Sequence, residues 1–172
     1  MEHILGFYRY NSDVRKKYLD AIEKLPWDEV LRERGASFSS TRDVFLHILN
    51  AYRYWFQYGI KDNLREYHRA DCESFKNVYD LRKYEKEVDS MVLSLVESVQ
   101  EEDLSRVYVI QTRNRILRRT MEAILMHMIE EELQHRGELN CMLWQQGVDP
   151  PVTSYDDWLE EKAASKNNQP RK

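Results

Sequence analysis

Cysteine, proline and glycine are scarce in this 172-residue chain: two, four and five residues respectively. Two isolated cysteines, Cys72 and Cys141, with no C-x-x-C spacing, exclude a disulfide scaffold and a cysteine-rich zinc module, and favour a reducing compartment. So few glycines and prolines leave mostly regular structure. No apolar run approaches the roughly 18 residues of a membrane span. The N-terminal residues hold no signal-peptide core, so the expectation is a cytoplasmic protein without a membrane partner. A basic excess is missing too. At a formal charge of −4, with no basic stripe along any helix, the chain is not expected to bind nucleic acid.

What is present is 42% hydrophobic and 33% charged residues, enough for one domain with a real core. Helical periodicity organises them. Ile4, Tyr8, Val14, Tyr18, Ile22 and Leu25 share a stripe that predicts a first helix, stopped by Pro26. A short turn over Pro26 to Leu31 and a loop from Gly35 follow. Ser40 with Asp43 resembles a capping box, Asp being a weaker partner than Glu, and opens a second helix over Thr41 to Tyr58. Its inward stripe is Val44, Ala51, Trp55 and Tyr58, with His47 on it.

Gly59 to Asn77 is too long for a simple bundle turn, although Glu66 to His68 can start a short helix within it. It predicts a long crossover, so that the first two long helices are not simple up-down neighbours. Val78, Leu81, Tyr84, Val88, Met91, Leu95 and Val99 give the third helix, with no inward polar group evident. Val107 to Ile110 is β-branched and predicts a small strand or extended loop. Arg113, Arg115, Arg118 and Arg119 then cluster, either as a solvated loop paired with the many glutamates or as an anion-binding lip over a site. Thr120 caps a fourth helix ending near Gln146, with Gly147 as its stop. Ser154 to Asp157 starts a short terminal helix that can pack Trp158 and Leu159. Residues 1–164 are expected to form one domain and 165–172 a disordered polar tail.

The fourth helix carries the chemistry. Ile124, Met128, Leu139 and Met142 define its stripe, with Glu131 and His135 in the middle, Glu132 at one edge, His127 at the other and Glu130 outside. Glu131 and His135 stand one turn apart and can face one metal ion, whereas His127 and His135, about 12 Å apart along the axis, cannot share one comfortably. A third ligand has to come from another helix, and His47 is the other histidine on an inward stripe. His47, Glu131 and His135 would make a two-His, one-carboxylate set with open positions. The bland alternative is that His47 is a core histidine satisfied by a neighbour, and the residues alone leave both readings open. Glu132-x-x-His135 has di-iron spacing, but no second copy exists. Neither cysteine suggests a nucleophilic triad.

Taken together these residues resemble the DinB-like superfamily of damage-inducible, YfiT-type proteins. The likeness rests on Tyr10-Asn11, Leu25-Pro26, Ser37-Phe38-Ser39-Ser40 and His47 with Trp55. It is strongest in Glu131-x-x-x-His135-Arg136-Gly137-Glu138-Leu139-Asn140 and the closing Gly147-Val148-Asp149-Pro150-Pro151. The resemblance implies an all-α four-helix bundle with a long crossover connection, here with a short C-terminal helix added, and often a homodimer. It also implies one divalent metal ion (zinc, nickel or iron) on His47 and His135, with Glu131 standing where the family more often has histidine. It further implies a metal-dependent enzyme acting on a small-molecule substrate with a low-molecular-weight thiol, an S-transferase in detoxification. A metal-dependent hydrolase and a non-catalytic metal-binding or scaffold protein are the alternatives.

Overall fold

A computed structural model of the chain describes residues 1–35, 37–112 and 114–167. Helix α1 spans Glu2–Ile22, α2 Trp27–Leu31, α3 Thr41–Tyr52, α4 Val78–Ser98, α5 Met121–Gln145 and α6 Tyr155–Asn167. The long helices α1, α3, α4 and α5 form the four-helix bundle. Helix α1 packs on α4 and α5, and α3 packs on the same two, so α1 and α3 face each other diagonally. The crossover after α3 makes that diagonal possible. No helix among the described residues is long and apolar enough to cross a membrane.

Local chemistry sets the boundaries. Ser40 accepts a hydrogen bond from the Asp43 backbone N–H at 3.2 Å and starts α3; Thr120 does the same for Ala123 at 3.1 Å and starts α5. Gly147, at φ 73°, closes the end of α5 in the left-handed region. Because the Ser40 cap is buried, Ser40→Ala is expected to cost about 1 kcal/mol, read as a lower urea midpoint with an unchanged slope.

Helix α3 does not run on to Tyr58 as an α-helix. From Arg53–Gly59 it widens to a π-helical turn, carried on by the Ile60 N–H bonding the Trp55 carbonyl at 3.0 Å. Its core stripe is also rotated from the expected one: Val44 is buried, but Phe45, Ile48, Leu49, Tyr52 and Phe56 complete the stripe, while Ala51, Trp55 and Tyr58 are half-buried. Gly59 sits where a Cβ would come 3.2 Å from the Tyr54 carbonyl oxygen and 3.7 Å from Ile110, so glycine admits the neighbouring segment. That segment is a hairpin, β1 Val107–Gln111 paired antiparallel with β2 Ile116–Thr120, which buries Ile110 opposite Leu117. Arg113 lies outside the described residues.

Helix α6 is clamped to α1. Tyr155 stacks on Phe7 at 4.3 Å, the Trp158 indole N–H donates to Asp13 at 2.9 Å, and the Tyr10 hydroxyl donates to the Thr153 carbonyl. Leu159, expected to pack there, is exposed instead.

The bundle centre is ionic. Arg15, fully buried on α1, donates to Glu85 at 3.3 Å and Asp89 at 2.6 Å on α4, and to Glu132 at 2.8 Å on α5. Glu132 also accepts from Tyr52 and from Arg136, both at 2.6 Å, and Arg136 continues to Asn11 at 2.8 Å. Thus α4 does carry inward polar groups, Glu85 and Asp89, against expectation; their charge disguised positions that the period places inside. The network ties α1, α3, α4 and α5 together at one level. Burial alone would push the Glu132 carboxyl up, but the two guanidinium groups and the Tyr52 hydroxyl hold it below the usual carboxylate range. Burial wins at Glu85, whose carboxyl is pushed up despite Arg15.

Candidate metal centre

Helices α3 and α5 pack side by side, and that contact builds the site. His47 comes from the middle of α3, Glu131 and His135 from successive turns of α5. His47 Nε2 lies 2.9 Å from Glu131 Oε1, and His135 Nε2 lies 3.3 Å from the same oxygen. The imidazole centroids are 4.4 Å apart and the rings nearly perpendicular. One ligand atom from each residue falls within 4.8 Å of the others, so the group could hold a metal ion. Tetrahedral zinc with bonds near 2.0–2.2 Å separates its ligand atoms by about 3.3 Å. The spacing needs only small side-chain shifts to meet that, and the residues fit the ion.

His47, Glu131 and His135, named from the sequence, do lie together, but α5 is rotated from the expected setting. Glu132, expected at the stripe edge, is fully buried, whereas Glu131, expected at the centre, is half-buried and faces α3. The reason is that Leu125, Ile129 and Leu143 are buried as well, which turns the inward direction toward Glu132. His127 stays outside the cluster, 3.6 Å from Glu130 and edge-on to Trp55.

Several neighbours were not foreseen. Phe38 stacks on His47 at 4.1 Å and meets His135 edge-on at 5.5 Å, shielding both rings. Glu138, one turn beyond His135, puts Oε1 3.2 Å from His135 Nδ1, although too bent to count as a hydrogen bond and leaving that buried nitrogen unpartnered. Ser37 donates to both Glu138 oxygens, at 2.8 and 2.6 Å. A cleft of about 240 Å³ opens beside the cluster, lined by His47, Glu131, Asn50, Tyr54, Tyr67 and Arg69 among others. None of Arg115, Arg118 and Arg119 lines it. The arginine at the cleft is Arg69, from the crossover, which carried no motif to mark it. Ser37 and Phe38 lay within a quoted stretch but had no assigned role.

Charge in the cluster is settled by competition. Burial, with His135 and Arg69 nearby, holds the His47 pKa below its ordinary value, although the Glu131 hydrogen bond pulls the other way. At Glu131 burial pushes up, but the His47 hydrogen bond and the surrounding imidazoles win and hold the carboxyl low. The two directions agree on one state near neutral pH: a neutral His47 N–H donating to a charged Glu131, a hydrogen bond rather than an ion pair. A metal needs the same charges, neutral imidazoles and a carboxylate, but with the His47 proton moved from Nε2 to Nδ1.

Comparison with known proteins points one way. A family model described as the DinB family matches residues 1–171. The chain is 25% identical over 158 residues to Protein DinB of Bacillus subtilis (strain 168), covering 88% of this chain and 91% of that one. Among solved structures, a DinB-like protein of Bacillus cereus ATCC 10987 superposes with a TM-score of 0.68 at 18% identity, covering 88% of this chain and 96% of that one. A DinB-like protein of Bacillus subtilis gives 0.63 at 20% identity, covering 88% and 97%. At those identities the two structures speak to the fold alone.

Proposed function

The chain belongs to the DinB family, and from that premise we propose that His47, Glu131 and His135 hold one divalent ion, zinc, nickel or iron, for low-molecular-weight-thiol S-transfer. The observation that carries this is the convergence of two imidazole Nε2 atoms on one Glu131 oxygen at the wall of a cleft. Three protein ligands leave open positions, as catalytic sites do, and an N₂O set suits these borderline metals. A bound ion would supply Lewis-acid stabilisation of a thiolate at neutral pH.

The chain's own residues prepare that state. To offer Nε2 lone pairs, both imidazoles carry their proton on Nδ1, and Glu138 stands ready to accept it from His135, with Ser37 holding Glu138. Phe38 keeps water from the rings and Glu131 stays charged. In the transfer, the sulfur attacks an electrophilic carbon and a C–S bond forms. The leaving group departs with its bonding pair, and the thiol proton goes to solvent.

The test is elemental analysis of untagged protein beside His47→Ala and His135→Ala. About one ion per chain, lost in both variants, is expected for a three-ligand site. Wild-type protein that stays empty in added zinc, nickel and iron sinks the proposal. Retained metal without thiol-dependent turnover on electrophiles leaves the non-catalytic reading, which Glu131 favours through its added negative charge.

A further inference from the structure

We infer that a second copy of this chain docks on the outer face of α5. The two α5 helices lie antiparallel about a twofold axis at the level of Leu133 and Gly137, and each Trp144 enters an apolar groove on the other copy. The inference does not rest on the metal reading, because this face points away from the candidate centre.

The face is short of charge. Of the eight exposed residues from Met126 to Gln145, Glu130 alone is charged, whereas the eight exposed residues of α4 include Lys83, Lys86, Glu87 and Glu97. Large apolar side chains stand in water instead: Met126 is 51% exposed, Leu133 45% and Trp144 62%. Loss of charge together with exposed methionine and tryptophan is the compositional mark of an interface core.

Gly137 is the second, independent sign. A glycine inside a helix destabilises it relative to alanine, so its presence calls for a packing reason. Gly137 lies well within α5, yet among the described residues no atom comes within 4 Å of where its Cβ would stand. A single chain supplies no such reason. A second helix crossing close above it does.

Spacing selects the partner. Met126 and Trp144 are five full turns apart, so they share one line about 27 Å long, and Leu133 and Gly137 fall within about 20° of it, with His135 on the opposite side. Turning a second α5 end for end about the midpoint of that line sets Leu133 on the partner's Gly137, a knob over a hollow. The same turn brings the partner's Trp144 over Met126, where a groove of about 690 Å³ is lined by Ile4 and Phe7 of α1 and by Met126, Ile129 and Leu133. One surface thus carries both the exposed indole and the groove, the self-complementarity that a twofold interface requires. The two Glu130 side chains stay about 15 Å apart along the seam, so like charges do not meet. With the α1 flank the face is about 20 Å wide, on the order of 540 Å² when taken as flat. Side-chain relief carries that toward the roughly 800 Å² per partner of a standard interface.

The experiment is sedimentation velocity on the untagged full chain over about 1–100 μM, for wild type and for Leu133→Lys, Gly137→Lys, Trp144→Ala and Ile116→Lys. Ile116 is an exposed apolar residue of the hairpin, outside this face, and serves as the control. Wild type and Ile116→Lys are expected to sediment as two chains. The three α5 variants should raise the dissociation constant more than about 30-fold, the effect of losing one central anchor. Lysine suits a helix better than glycine, so Gly137→Lys stays folded, which circular dichroism verifies, and it decides alone if Leu133→Lys does not fold. Wild type that remains single chains at the highest concentration overturns the inference. A dimer that survives both lysine variants overturns it too, as does one broken by Ile116→Lys alone.

Discussion

Replacing Arg15 by Met should cost about 3–5 kcal/mol, a large share of the whole stability of a domain this size. Among the described residues Arg15 is the one cation that touches Glu85, Asp89 and Glu132 together, and its side chain is almost wholly buried. Met fills similar volume but leaves those carboxylates with Arg136 as their remaining guanidinium, and it touches only Glu132. Arg15→Lys should also lose stability, because one ammonium cannot span three carboxylates in the fixed fork that guanidinium provides. Urea unfolding at neutral pH measures both, and a loss under about 1 kcal/mol for Arg15→Met would mean that water reaches the cluster. The network also predicts acid sensitivity. Glu132 is held below its unfolded value, so its contribution is present above that value and is lost as pH falls through the lower, folded one. Glu85 is displaced upward and takes up its proton first, so it works in the opposite direction. Wild type should therefore unfold on acidification in a step that is weakened in Glu132→Gln.

The second large effect is metal-linked stability. At a thousand times its dissociation constant, an ion that binds only the folded chain adds about 4 kcal/mol. For a domain of this length that raises the melting temperature by roughly 10 °C. A chelator reverses the gain, and His135→Ala or Glu131→Gln abolishes it, as scanning calorimetry of each protein with and without zinc would record. The pH dependence has a definite sign. Burial holds His47 below its ordinary value, so it remains neutral at neutral pH, and the metal-linked gain is lost as pH falls through that lowered value. Glu131 acts alike without metal: its contribution is present above its unfolded value and lost as pH falls through its depressed folded one. Equal melting temperatures with and without zinc at pH 7, in protein shown to be folded, would rule the site out.

The long helices, the crossover and the three clustered residues were legible because periodicity and capping are local properties. The rotation of α5 was not. A stripe drawn through Ile124, Met128, Leu139 and Met142 centres near His135, with Glu131 and Glu132 roughly 50° to either side, but including Leu125, Ile129 and Leu143 turns it by roughly 40° toward Glu132. Charge hid the rest. Arg15 follows Tyr8 and Asn11 and precedes Tyr18 and Ile22 at three- and four-residue steps, yet arginine is read as a surface residue until its partners on other helices are known. Arg69 and Phe38 lie in irregular chain, where no period tells which way a side chain points.

The diagonal placement of α1 and α3 also has a consequence for synthesis. Arg15 meets Glu85 and Asp89 as soon as α4 exists, so the first half of the chain can begin to close around an ion pair while the ribosome is still at work. Glu132, Glu131 and His135 all arrive with α5, the last long helix to be made, while His47 has waited since α3. Until α5 emerges and docks, a nascent chain therefore holds only His47 of the three residues proposed as metal ligands. With those three residues as the ligands, any metal loading would follow the completion of the bundle and would not guide it.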